Sequence, residues 1–571
     1  MEKEVTENRG SCRIGALKPT LAVLLVVAMP PLYAQVPPPG AGTILQQIKP
    51  VAPPVPSNTA PGLRIERENN APLPPSAPFT VKIIQILGNT SFDSAALHTL
   101  VADAEGKSLT LAQLTEVAAH ITDFYHHHGY PLTRAIIPAQ TIHDGVVKIE
   151  VIEARYGTLA LDNHSRVNDA LLQSTLSPLQ SGKKIDQASL NHSLLLLTDI
   201  PGVTVSASLK PGEAVATSDL QVDASGGSVV TGAVSLDNYG NSDTGRARIS
   251  GTVNVIDPLH HGDVLSVSGL SSGSGMNYGR LTYEWLLNGA GTRMGGSYSA
   301  LHYTLGQPFA SLDADGTAQV ESLWAKHPFV RSRDVNLYGQ VQYDRLQLRD
   351  DIDASAIQTH RHLGNWTASV FGDARDAFLS GAVSTWSVGW TIGHVGFDNA
   401  AAQLADADTA KTRGKFSKWV VALSRLQNLS TNDALYLAFT AQWANKNLDQ
   451  AEKMTVGGAY TVRAYDLGVI SGDKGYLGTA EFRHSLGSLW TGQWQAVAFI
   501  DSAHITINKN VWTTAPNNAT LSGAGVGLNW AGSDQWSARM YIAKHIGAVP
   551  LQIASTASAR AWIEISKGFA L

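Results

Sequence analysis

The sequence predicts an all-β transmembrane barrel of about sixteen antiparallel strands, preceded by two small α+β domains. Three observations lead there. Residues 229–571 show a two-residue alternation of apolar and polar side chains and no convincing amphipathic helix. Charged residues make up only 16% of the chain, against roughly a quarter in ordinary soluble proteins. Beyond the N-terminal region, no run of about 18 apolar, uncharged residues offers a membrane-crossing helix. The net charge is −5, and without a basic block it gives no footprint for nucleic acid.

The chain opens as an export signal over residues 1–34. Arg9, Arg13 and Lys18 precede a short apolar run at 21–29, and Leu32-Tyr33-Ala34 offers a cleavage point before Gln35. The single cysteine, Cys12, lies before that run, so the exported chain has no disulfide framework and no thiolate metal site. Residues 35–78 form a tether that Pro37-Pro38-Pro39, Pro53-Pro54, Pro56 and Pro74-Pro75 keep extended. Within it, residues 42–48 have the length of two helical turns before Pro50 stops them, and Ile44, Leu45 and Ile48 supply their apolar side chains.

Residues 79–154 change character. A strand is expected at 79–86, helices at 92–104 and 109–128, and strands at 135–137 and 146–152. Leu111, Leu114, Val117, Ala118, Ile121, Phe124 and Tyr125 fall at three- and four-residue steps, and Gly129 suits the position after the helix end. Residues 155–221 repeat the β-α-α-β-β order more weakly, with helices near 167–176 and 185–197 and strands near 157–161, 203–209 and 219–222.

The barrel, 222–571, rests on alternation of this quality. In one segment Val335, Leu337, Gly339, Val341 and Tyr343 alternate with Asn336, Tyr338, Gln340, Gln342 and Asp344. Ala247, Ile249, Gly251, Val253 and Val255 do the same, as do Leu435, Leu437, Phe439, Ala441 and Trp443. One face meets lipid and the other water, and closure leaves no edge amide in hydrocarbon. A soluble sandwich alternates too, but some 340 residues of strands alone is long for one. Trp443, Trp494, Trp530 and Trp536 suit the interfacial girdles of such a barrel.

One irregular stretch interrupts the late strands. Residues 446–475 lie between the eleventh and twelfth expected strands, are rich in glycine, and carry Val462-Arg463-Ala464-Tyr465. Two strands on, Trp494, Ala496, Ala498 and Ile500 form an outward row, so Phe499 and Asp501 face the lumen by parity. An inward fold of the loop brings Arg463 within reach of Asp501 as a charge-assisted pair, a latch inside the pore. Other signals carry less. Adjacent histidines at 126–128 point different ways on a helix and chelate poorly, so no metal is expected. Gly269-Leu270-Ser271-Ser272-Gly273 lacks the helix of a nucleophile elbow, so no hydrolase is expected. No cofactor is expected.

The order of these segments resembles the two-partner secretion transporters (TpsB proteins, the haemolysin secretion/activation family), relatives of the BamA-type assembly factors. Residues 41–48, 196–203, 209–212, 217–220, 236–240 and 327–333 resemble family stretches, and the small units resemble POTRA domains. The family's loop motif, Val-Arg-Gly-Tyr, maps to Val462, Arg463, Ala464 and Tyr465. Its barrel-wall motif, Phe-x-Asp-x-Gly, maps to Phe499, Asp501 and Ala503. Alanine replaces glycine at 464 and 503, and at the loop tip this raises the question of a positive φ. The resemblance implies an outer-membrane pore of a Gram-negative bacterium, monomeric and not an enzyme, with periplasmic POTRA domains. Its partner would be a cognate secreted exoprotein (TpsA-like) bearing an N-terminal secretion domain, exported unfolded. The helix at 42–48 would plug the resting pore. The alternative is a BamA-like factor that inserts other barrels.

Overall fold

The computed structural model describes residues 38–48, 62–65, 76–553 and 557–571. The expected export signal and most of the Pro-rich tether lie outside them.

The first α+β unit holds a three-stranded sheet, with Val146–Ile152 between Ile83–Leu87, its parallel neighbour, and Arg134–Ile136, its antiparallel one. The strand expected at 79–86 is broken, because Val81 and Lys82 leave it to bond Lys107 and Gly145. The long helix is Leu111–His127, and a Thr110/Gln113 capping box sets its start. Leu114, Ala118, Ile121 and Tyr125 form its buried stripe. The helix expected at 92–104 is shorter, Ser94–His98 followed by a 3₁₀ turn at Ala102–Ala104.

The second unit packs helices Asp169–Leu176 and Gln187–Thr198 on strands Arg155–His164, Val203–Pro211 and Thr217–Gly226. The boundary expected at 221/222 falls inside the last of these, which stays in the unit's sheet to Gly226. The tether does more than span. Leu63–Ile65 pairs in parallel with Ala207, Ser208 and Leu209 and so becomes the fourth strand of that sheet.

Sixteen strands then close into an antiparallel barrel. In order they are Val230–Asp237, Arg248–Ile256, Val264–Ser271, Met276–Leu286, Arg293–Thr304, Ala314–Arg331, Val335–Ile352, Ile357–Asp376, Ala382–Phe397, Gly414–Asn428, Asp433–Ala444, Lys474–Leu489, Gly492–Thr506, Asn518–Gly532, Trp536–His545 and Arg560–Ala570. The first pairs with the last from Thr231↔Ala570 to Asp237↔Glu564, so no edge is left. Ile249, Val267, Leu281, Leu323, Val341 and Trp366 stand exposed on the outer face, where the alternation places the lipid side. One helix was not anticipated, Ala400–Asp408 in the loop between the ninth and tenth strands. Its run of alanines is a good helix former but gives no apolar stripe for a periodicity search to find.

The second unit is bonded to one rim. Arg331, at the end of the sixth strand, is fully buried there and grips Asp199 through two bonds of 2.6 and 2.8 Å. Asn168 donates its backbone N–H to the His260 carbonyl in the turn after the second strand. Leu286 joins the unit's apolar core. The short turns of the barrel face this rim, and the longer loops leave from the other.

Candidate functional site

The longest loop, residues 445–473, leaves from the far rim and folds back into the lumen. Met454–Val456 and Ile470–Gly472 pair as a small hairpin that carries its tip inward. Gly457 and Gly458 take φ of +101° and +104°, a conformation that side chains resist. A Cβ at Gly457 would also fall 2.2 Å from the Asp466 carbonyl oxygen.

At the tip the guanidinium of Arg463 meets the wall. Nε donates to Asp501 Oδ2 at 2.9 Å and Nη2 to Oδ1 at 2.8 Å, while the Arg463 backbone N–H reaches Oδ2 at 3.2 Å. Thr479 adds a bond to Asp501 at 3.0 Å. A third charge was missed in the sequence. Glu481 accepts from Arg463 Nη1 at 2.7 Å and from Arg483 at 2.9 and 2.5 Å. Two-residue parity on the twelfth strand puts Glu481 on the lumen side, beside Thr479, and that was the available signal. The cluster thus balances two arginines against two carboxylates, as burial demands. The guanidinium also stacks 3.4 Å above the Phe499 ring, a cation–π contact.

The neighbouring residues are packed rather than reaching for solvent. Val462, Ala464 and Tyr465 are all buried with Phe499 and Ala503 in one apolar cluster. Ala464 and Ala503 have ordinary negative φ, so alanine carries no backbone strain at either place. A Cβ built on Gly523 would fall 2.4 Å from the Ala464 methyl, so the glycine opposite makes room for the alanine. Trp562 lies inside the barrel, not in the girdle, and donates Nε1–H to the Arg463 carbonyl at 2.7 Å. Asp466 ties the tip to the loop after the first strand and to the last strand, accepting from Arg246 at 2.6 Å and from Arg560 at 2.5 and 2.7 Å.

The second feature is the helix, Ala41–Gln47, which lies inside the barrel. Ala41 and Ile44 are fully buried against lumen-facing Leu301, Tyr303, Leu346, Leu348 and Phe416, and Leu45 and Ile48 pack on the same cluster. Asp350 fixes its start, accepting from the Ala41 backbone N–H at 2.5 Å and from the Tyr303 hydroxyl at 2.7 Å. Gly42 lies against Ala451 of the loop, where a Cβ would come within 2.6 Å of the Ala451 nitrogen. Gln46 donates to the Ala451 carbonyl and Thr43 to Gln450. Arg361 bridges Asp350, 3.0 Å away, to Asp449 at the loop base, 2.7 Å away. Helix and loop therefore share one buried ion network.

His126 and His128 bond within their own unit. His126 meets the Thr133 carbonyl, and His128 the Phe124 carbonyl and ring.

The site is thus a closed barrel with an α+β unit bonded to one rim, an inward loop clamped to its wall and a helix in its lumen. Residues 216–530 match the family described as haemolysin secretion/activation protein ShlB/FhaC/HecB, and residues 79–154 match the POTRA domain, ShlB-type. The chain belongs to that family. It is 27% identical over 474 residues to the heme/hemopexin transporter protein HuxB of Haemophilus influenzae, covering 82% of this chain and 83% of that one. It is likewise 27% identical over 471 residues to the outer membrane transporter CdiB of Escherichia coli, covering 79% and 76%. Among solved structures, CdiB from Escherichia coli superposes with a TM-score of 0.69 at 22% identity over 88% of this chain and 93% of that one. BamA from Haemophilus ducreyi gives 0.51 at 12% identity over 86% and 100%, and shares the fold. The chain is a two-partner secretion transporter of the outer membrane, with its POTRA side in the periplasm and the barrel as the export route for a cognate secreted protein.

Proposed function

We propose that this transporter exports one large, unfolded exoprotein of the TpsA type, and that two linked obstructions, the helix and the inward loop, hold its resting pore closed. Residues 1–34 would be removed as the signal, and 35–78 tether the plug helix. Residues 79–154 and 155–226 are the two POTRA domains, and the barrel runs from 230. The single observation that carries this reading is the shared ion network of helix and loop inside the lumen, since a plug on a long tether is needed only where the opening must be temporary. The cargo's N-terminal secretion domain is captured by adding a strand to a POTRA sheet edge. The pairing of Leu63–Ile65 with the edge strand Val203–Pro211 supports this, because the chain itself already uses that edge to hold an extended segment. No enzymatic step is involved, and cargo folding outside supplies direction. The pore works as a monomer. The barrel-assembly alternative accounts poorly for a plug that fills the lumen.

The test is co-expression with a candidate cargo, such as the product of a neighbouring gene for a large secreted repeat protein. Secretion that needs this transporter is the expected result. Undiminished secretion after its deletion overturns the assignment of that cargo.

A further inference from the structure

On the outer wall, facing lipid rather than lumen, the second to sixth strands enclose an open groove of about 690 Å³. Its floor is a cross-strand row in direct register, Gly251↔Gly269↔Gly279↔Ala300↔Gln319. The protein's own packing does not require glycine there. None of the three has a positive φ. A Cβ at Gly279 would meet nothing within 4 Å, and at Gly269 and Gly251 nothing closer than 3.7 and 3.6 Å. Glycine inside a strand weakens it and marks the close approach of something else.

The rows on either side set a direction. Toward the first strand the groove ends at Val234, and the row on its periplasmic side is Val253, Val267, Leu281 and Tyr298. Followed the other way, the rows become polar and reach Arg345 and Arg349 on the seventh strand, paired with Glu321 and Thr317. On that strand Tyr343 is the last apolar side chain of the outer face. The groove, whose lining ends at Thr317 and Gln319 on the strand next to the arginines, therefore descends obliquely from the membrane surface into the apolar belt at Val234. From Gly251 to Ala300 it crosses three strand spacings, roughly 14 Å, the scale of a fatty acyl chain. Arg345 is over half exposed with Glu321 3.8 Å away, and Arg349 is exposed beside His360, itself 3.2 Å from Asp351. The POTRA-bearing rim is the opposite one, so this is the level of the outer leaflet.

We propose that the groove binds a phosphorylated, acylated outer-leaflet lipid of the lipid A type. One acyl chain lies on the glycine floor, and a headgroup phosphate meets Arg345 and Arg349. The occupant follows from two features of the wall, the groove's continuity with the lipid-facing belt and the cations on the strand next to its upper end.

The test uses the full-length transporter in detergent, titrated with bis-phosphorylated lipid A and read by native mass spectrometry. Wild type should retain the lipid saturably at one copy per barrel. Gly269→Leu with Gly279→Leu fills the floor, and Arg345→Gln with Arg349→Gln removes the cations. Each pair should weaken retention by about tenfold or more, and wild type should hold dephosphorylated lipid A as weakly as the arginine variant does. A heat-modifiable band on gels verifies that each barrel is folded, and Gly279→Leu alone, where a Cβ has open space, serves if the double leucine variant does not fold. Equal retention by wild type and the filled variant overturns the groove, and equal retention of the dephosphorylated lipid overturns the arginine contact.

Discussion

Replacing Asp501 with asparagine keeps the shape at the loop tip and removes one charge. Asp501 is fully buried and accepts four hydrogen bonds, three of them from Arg463. Asparagine has one acceptor oxygen in place of two, so the bidentate grip is lost. Arg463 and Arg483 then face Glu481 as the one remaining carboxylate, and the cluster carries one uncompensated positive charge. Leaving a buried charge without its partner costs about 3–5 kcal/mol, and each 1.4 kcal/mol is about tenfold in an equilibrium. Glu481 still holds Nη1, so the lower end of that range applies, and detachment of the loop should rise by roughly a hundredfold. Protease cleavage of the loop in the purified transporter measures detachment directly, and secretion of the cognate cargo measures its consequence. Asp501→Arg should be worse than the asparagine variant. Arg463→Asp added to it should restore function only in part, because the carboxylate introduced at the loop tip would face Glu481. If loop protection and secretion in Asp501→Asn match wild type, the latch has no role.

Four further outcomes follow from the geometry. Deleting residues 38–48 should raise single-channel conductance in planar bilayers, and Asp350→Ala, which frees the Ala41 amide and one side of Arg361, should raise the frequency of open events; unchanged traces would reject the plug. Arg331→Gln should loosen the second α+β unit from the rim at a cost of about 1–3 kcal/mol, seen as faster hydrogen exchange at 192–200, and unaltered exchange would count against this joint. Ala464→Leu should overpack against Gly523 and destabilise the loop by about 1–3 kcal/mol, read as increased cleavage, whereas Ala464→Gly should stay near wild type. The last concerns pH. Glu153, buried between the two α+β units, accepts from Thr90, Ser91, Tyr125 and Lys184. Burial pushes its carboxyl up, but the bonds from Thr90, Lys184 and Ser91 outweigh this and hold it well below the ordinary value. A depressed carboxylate lends stability that is fully present above the unfolded value, near 4.3, and is lost as pH falls toward the folded one. Protection of the inter-domain contact should thus be flat from pH 7 to about 5 and decline below about 4; Glu153→Gln should abolish that decline and weaken the contact at neutral pH.

The alternation of side chains sufficed to place the lipid face, the lumen face, and Asp501 among the lumen residues, because a closed sheet offers each side chain only two directions. Helical spacing with a capping box likewise placed 111–127. These properties are local, and a single strand or helix expresses them. Partnership across the lumen is not local. That Glu481 completes the Arg463 cluster, that Arg361 joins Asp350 to Asp449, and that Arg331 reaches back 132 residues to Asp199 depend on where the inward loop, the lumen helix and the second α+β unit come to lie against the barrel. Ala464 shows the limit most plainly. The sequence raised a question of backbone strain, and the tertiary structure answered it through Gly523, a residue on another strand whose missing side chain leaves the space the methyl occupies.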